Sequence, residues 1–218
     1  MLDTTNLLYR HNIFFDIVDP ILGRMVDRAR FQAEAAVFSP PINIQALSHT
    51  MAALGALSSN EYASVREMHY NQARELLDLC ERQDSGGMLV SINTLQTCVL
   101  LALYEFKSPN FARLWMTLGR AIRLSKMMGL DMLDAEPSGV SARLPKQPAQ
   151  LPFQLPAASS PVELEERRRT FWILYIFDVS AATRSPSAIP AFDATQVTPS
   201  PSPQPFVPHS ELVEATES

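Results

Sequence analysis

Cysteine is almost missing from this chain. Cys80 and Cys98 are the only two in 218 residues, and both sit inside apolar helical patterns. A disulfide framework is therefore not expected, nor the secreted setting that would favour one. Neither cysteine has a CxxC or HxxxH neighbour, and His11, His49, His69 and His209 are scattered. Zinc needs clustered ligands, so no metal site is expected. The residues read more plainly as two small core thiols on adjacent helices and, for His69, a partly exposed helix face.

Long apolar runs are lacking too. Asp3, Arg10, His11, Asp16 and Asp19 interrupt the N-terminal segment, so it does not read as a signal peptide. No stretch approaches the span of a bilayer, and the chain reads as soluble and intracellular, with no membrane partner. No run alternates over a strand's length, which leaves an all-α fold. There is no GxSxG elbow, and Gly86-Gly87 has no GK[ST] after it to make a phosphate loop. Glu163, Glu165 and Glu166 are interleaved with arginines rather than opposed in pairs. These residues argue against an enzyme. A basic excess is also missing: the formal net charge of -5 removes the simplest electrostatic case for nucleic-acid binding.

What is present is a hydrophobic content of 46%, enough to fold one domain of this length without staples. Helices are expected on either side of Pro20 between Thr5 and Phe38, and Pro40-Pro41 forces a break. A helix follows from Ile42 to Leu57, with Leu47, Met51, Leu54 and Leu57 on one face. Asn60 can cap the next, amphipathic helix, which runs toward Arg82 with Val65, Met68, Leu76 and Leu79 inward; Ser85-Gly86-Gly87 ends it. Ser91 to Phe106 is apolar nearly all round and is expected as the central helix.

Asn110 opens the clearest helix and Gly129 stands at its left-handed C-cap. Its apolar stripe is Phe111, Leu114, Trp115, Leu118, Ile122 and Met128, with Arg113, Arg120, Arg123 and Lys126 mainly outside. Proline at 137, 145, 148, 152 and 156 marks 133–159 as a flexible loop. Ser160, Pro161 and Glu163 then form a helix start at capping-box spacing. Leu164, Phe171, Trp172, Leu174, Tyr175 and Ile176 would bury that helix's second half, and its first half stays charged. The expected organisation is a helical domain over 1–195 and a Pro/Ser-rich disordered tail over 196–218.

Three features of the last two helices bear on function. Arg167-Arg168-Arg169 invites a DNA-contact reading, but Glu163 and Glu165 each precede an arginine by four residues, so salt-bridged support of the helix start is preferred. Trp115 and Trp172 are expected as core anchors rather than ligand platforms. Asp178, on an otherwise apolar surface, needs a partner, for which Arg120, Arg123 or Arg184 are candidates.

Two segments resemble the signature regions of the middle homology region, the regulatory domain, of fungal Zn(2)-Cys(6) binuclear-cluster transcription factors. The first, ARLWMTLGRAIRLSKMMGLD, matches at Arg113, Trp115, Gly119, Ala121, Arg123, Gly129 and Leu130. The second, EERRRTFWILYIFDVSAATRSPSAI, matches at Glu166, Arg167, Arg168, Arg169, Phe171, Trp172, Tyr175, Asp178, Pro186 and Ile189. INTLQTCVLLALYEF resembles the helix that precedes the first signature. The chain departs at Asp131, where the family usually has His, at Val179, where it commonly has Arg, and at Arg184-Ser185-Pro186, which replaces Gly-Arg-Pro.

The resemblance implies transcription regulation in the nucleus. The zinc of family members lies in a separate six-cysteine cluster that this chain lacks, so no cofactor is expected here and DNA is reached only indirectly. The resemblance also implies a C-terminally shortened domain that exposes apolar helix surface, for a protein partner or self-association. A small-molecule effector in an interhelical pocket is the further expectation. The alternative readings are a helical interaction or sensing domain with no DNA role, then a helical enzyme, then an autonomous nucleic-acid binder.

Overall fold

The computed structural model describes residues 4–58, 63–83, 87–107, 111–134 and 155–184. Among them are seven α-helices and no strand: α1 (Thr4–Ile13), α2 (Arg28–Ala35), α3 (Ile42–Gly55), α4 (Ala63–Arg82), α5 (Ile92–Phe106), α6 (Phe111–Met127) and α7 (Pro161–Arg184). The all-α expectation holds. Asn60, Ser85-Gly86, Asn110, most of the 133–159 loop and the whole 196–218 tail lie outside the described residues.

Between α1 and α2 the chain tightens rather than simply breaking at the proline. A π-type turn, Phe14–Val18, runs into a 3-10 turn, Asp19–Leu22, with Pro20 in its first turn, where its missing N–H costs nothing. Asp27 then caps α2 by accepting the Arg30 N–H at 2.6 Å. Ser91 caps α5 in the same way through the Thr94 N–H. Gly129 adopts φ 76°, the left-handed conformation expected after α6. At α7 the Glu163 N–H donates to Ser160, as a capping box requires. The return bond starts one residue earlier than expected: Ser159 donates its N–H and hydroxyl to the Glu163 carboxylate.

Two helices occupy the middle, not one. The α5 helix is buried from Asn93 to Ala102 and again at Glu105, as its all-round apolar pattern predicts. The α3 helix buries eleven of its fourteen residues, although its pattern predicts a single inward face. The reason is its neighbours: α1, α2, α4 and α5 all pack against it. Its small residues Ala46, Ser48, Ala52, Ala53 and Gly55 let them approach. A Cβ added at Gly55 would stand 2.4 Å from the Arg10 carbonyl oxygen, so α1 crosses α3 at backbone contact.

The inward face of α4 is rotated from the expected one. Tyr70, Ala73, Leu77 and Cys80 are buried at three- and four-residue spacing, whereas Met68 is exposed. His69, expected on a partly exposed face, is 1% exposed. Around α3 and α5 the core is completed by Phe14 and Met25 from the N-terminal turns, Phe31 from α2, Leu118 from α6 and Leu174 from α7. Each such side chain contributes about 1.5–3 kcal/mol by leaving water.

Candidate functional site

The signature helices α6 and α7 meet each other and α5. Leu130, just after α6, is buried and lines a small crevice with Phe171 and Trp172 of α7. Trp172 packs edge-on against both Phe171 and Tyr175, with ring centroids 5.9 and 5.7 Å apart. Phe171 is buried, while Trp172 and Tyr175 are half-buried. Trp115 departs from its expected role as a core anchor. It is 37% exposed and stacks on Phe111 along the outer face of α6, beside the exposed Met116. The helix turns Leu114, Leu118, Ala121 and Ile122 inward, and the aromatic pair falls outside that stripe. Arg113 and Arg123 are exposed, and a Cβ at Gly119 would touch nothing within 4 Å.

The first half of α7 is charged as expected, but it is not a solvated face. Glu166 is 3% exposed and Arg167 5%. Arg167 pairs with Glu163 and also donates to the Pro156 carbonyl. Arg169 pairs with Glu165 at 2.9 Å. Arg168 bonds both oxygens of Asp134 and reaches Glu165 at 2.7 Å, tying the segment after α6 to α7. Both expected i,i+4 pairs are present, and Asp134 is a partner that spacing could not reveal.

Glu166 is the centre of a polar hub. Its two oxygens receive Nε and Nη2 of Arg30 from α2, while Asp27 N–H and Gln96 Nε2 also donate to it. Arg30 continues to Glu34, Asn93 and Gln96. This network joins α2, α5 and α7, and the guanidinium is held charged by its carboxylates despite the opposing pull of burial. The α5 helix is thus polar where it faces α2, at Asn93, and α7, at Gln96. Their three-residue spacing in an apolar helix is the one sequence signal that could have exposed the hub.

Asp178 is buried at 1% exposure. Arg120, one expected partner for it, instead pairs with Asp78 and Glu81 of α4. The Arg184 side chain lies outside the described residues. Elsewhere, Tyr70 donates to Glu105 at 2.7 Å, and Arg74 bridges Glu105 and Thr117.

Three of the four histidines that look scattered in sequence, His11, His49 and His69, are brought together, and His209 lies outside the described residues. Arg10 of α1 bonds His69 of α4 at 2.9 Å, and His69 bonds His49 of α3 at 2.8 Å. His11 meets the Ser48 carbonyl and hydroxyl. They form hydrogen-bonded chains rather than a cage: among the described residues no group of three or more His, Cys, Asp or Glu could hold a metal ion. Two buried thiols, on α4 and α5, are too few for a six-cysteine zinc cluster. No described helix is long and apolar enough to cross a membrane.

Residues 12–201 match the fungal specific transcription factor domain family. The chain belongs to that family. Membership places it in transcription regulation. It is 30% identical over 172 residues to an azaphilone cluster-specific transcription factor of Aspergillus niger, covering 79% of this chain and 35% of that protein. It is 32% identical over 184 residues to a depudecin biosynthesis cluster-specific transcription activator of Alternaria brassicicola, covering 84% and 28%. A pigment biosynthesis transcriptional activator of Monascus ruber is 36% identical over 134 residues, 61% of this chain and 22% of that protein. The chain thus spans about a third or less of the curated relatives it matches. No solved structure matches it.

Proposed function

We propose that this chain is the regulatory domain of a nuclear regulator that adjusts transcription of a biosynthetic gene set, acting through contacts of its helical surface. It performs no catalysis and binds no cofactor of its own, and it reaches DNA only through another module or protein. Relatives named as cluster-specific activators support the gene-set reading.

The observation that carries the proposal is the state of the signature arginines. Arg167, Arg168 and Arg169 are each engaged by carboxylates of the same fold, namely Glu163, Glu165 and Asp134. An arginine held in this way offers little field to a phosphate, and phosphate contact is what nucleic-acid affinity chiefly rests on. The outer face of α6, with Phe111, Trp115 and Met116, is the kind of aromatic and methionine surface that protein contacts favour. Together with the ordered signature helices, these residues make up the proposed regulatory site.

The test joins the chain to an unrelated DNA-binding module in a reporter strain. Reporter output should change when the chain is attached, and the change should be lost with Glu166→Ala. The isolated chain should show no salt-dependent DNA affinity in a filter-binding titration. A salt-dependent affinity that Arg168→Ala abolishes would replace this reading with direct DNA contact.

A further inference from the structure

A cleft of about 640 Å³ opens between α1, α2 and the start of α3. That volume lies within the roughly 300–1,000 Å³ typical of small-molecule sites. Its walls are apolar at Leu7, Leu8, Phe31, Ala35, Phe38 and Ile44. Its polar lining consists of His11, Asn12, Gln32, Ser39, Gln45, Ser48 and His49, with no carboxylate, lysine or arginine among the described lining residues. An ionic ligand would lose its hydration there without meeting a counter-charge. Phe38 is wholly exposed and Leu8 59% exposed at the cleft, which is apolar surface that an occupant would cover.

The hydrogen-bond chain behind the cleft determines what its histidines display. Arg10 can only donate, so Nε2 of His69 accepts. Burial holds His69 at a pKa of about 4, with the neighbouring Arg10 charge acting in the same direction, so its ring is neutral and its proton is on Nδ1. That Nδ1–H donates to Nδ1 of His49. His49, also lowered by burial and neutral, must then carry its proton on Nε2. His11 runs the other way. Its Nε2 donates to the Ser48 carbonyl at 3.0 Å, and burial lowers its pKa to about 4, which leaves Nδ1 as a bare acceptor. The two histidines lining the cleft thus differ: one has a remaining N–H, the other a remaining lone pair.

We propose that this cleft binds an uncharged, largely apolar small molecule bearing a carbonyl and a hydroxyl group, the carbonyl accepting from His49 and the hydroxyl donating to His11. The idea rests on the regulatory reading only for its consequence, which is that occupancy would change transcriptional output. The site itself follows from the cleft and the direction of its hydrogen bonds.

The probe is 3-hydroxyflavone, which is neutral, mainly apolar, and carries adjacent carbonyl and hydroxyl groups; its emission reports on hydrogen bonding. It should bind the full chain saturably at one site. Flavone, which lacks the hydroxyl, should bind about five-fold more weakly, as expected for one lost hydrogen bond. A carboxylate derivative of flavone should not bind. His49→Phe should weaken the probe by a similar factor. Ala36→Trp, on the exposed rim of the cleft, should block binding while thermal melting shows the fold intact. Absence of saturable binding to the wild-type chain overturns the proposal, as does unchanged binding in both variants. The reporter strain separates the two ideas. Binding that leaves the reporter unmoved keeps the site and removes its regulatory consequence. A reporter that still depends on the chain while the probe does not bind removes the site alone.

Discussion

The guanidinium of Arg30 on α2 grips the carboxylate of Glu166 on α7 with two nitrogens, Nε to Oε2 at 2.8 Å and Nη2 to Oε1 at 2.7 Å, across 136 positions of chain. The Glu166 side chain keeps 2% of its surface and that of Arg30 22%. Glu166→Ala leaves the arginine without its main counter-charge, strands the Asp27 N–H and takes one acceptor from Gln96, which keeps the Met25 carbonyl. The expected loss is about 3 kcal/mol, the low end for breaking a buried pair because Arg30 keeps some solvent. Urea denaturation measures it. The double variant Arg30→Met/Glu166→Leu should recover much of the loss, since it removes both charges together.

Two glycines should respond with opposite signs. Gly55→Ala places a methyl 2.4 Å from the Arg10 carbonyl, where only movement of α1 can relieve it. A destabilisation of about 1–3 kcal/mol is expected. Gly119→Ala, inside α6 with nothing within 4 Å of the new methyl, should stabilise by about 0.5–1 kcal/mol through helix propensity. Thermal melts of both variants decide. A destabilised Gly119→Ala would mean that this signature glycine is held for a contact outside the fold.

Stability should rise with pH between about 4 and 6.5. Burial lowers His11 and His69 to about 4, so in that window the unfolded chain binds more protons than the folded one. Asp19 acts in reverse: burial raises it to about 6, so the folded chain binds the extra proton and stability falls as pH rises from about 4 to 6. Two strongly shifted histidines, with His49 shifted in the same direction, outweigh one aspartate. Melting temperature against pH should therefore climb, and His11→Asn should flatten the climb.

Arg168→Ala should cost about 1 kcal/mol, since the pair with Asp134 is two-pronged but partly exposed. Arg168→Lys should recover only part of that, because an ammonium cannot form the fork. Chemical denaturation of the two variants provides the comparison.

The thiols should resist labelling in the folded chain. Cys80 and Cys98 are fully buried, and burial raises Cys98 to about 12, so almost no thiolate forms there at neutral pH. A disulfide reagent should react only as fast as the chain unfolds. Rapid reaction without denaturant would show that α4 and α5 separate readily.

Local chemistry was legible without a structure. The left-handed turn at Gly129, the Ser160–Glu163 helix start and the pairs from Glu163 and Glu165 depend on residues within four positions of each other, which the chain places side by side whatever the fold. The all-round apolar pattern of α5 announced a central helix for the same reason. Tertiary packing decided the rest. Trp115 faces outward because Leu114 and Leu118 take the inward stripe, and α4 turns His69 inward because Arg10 and His49 receive it there. The Arg30–Glu166 hub and the histidine chain join residues tens of positions apart, and no periodicity encodes which distant polar groups will meet once the water between them is removed.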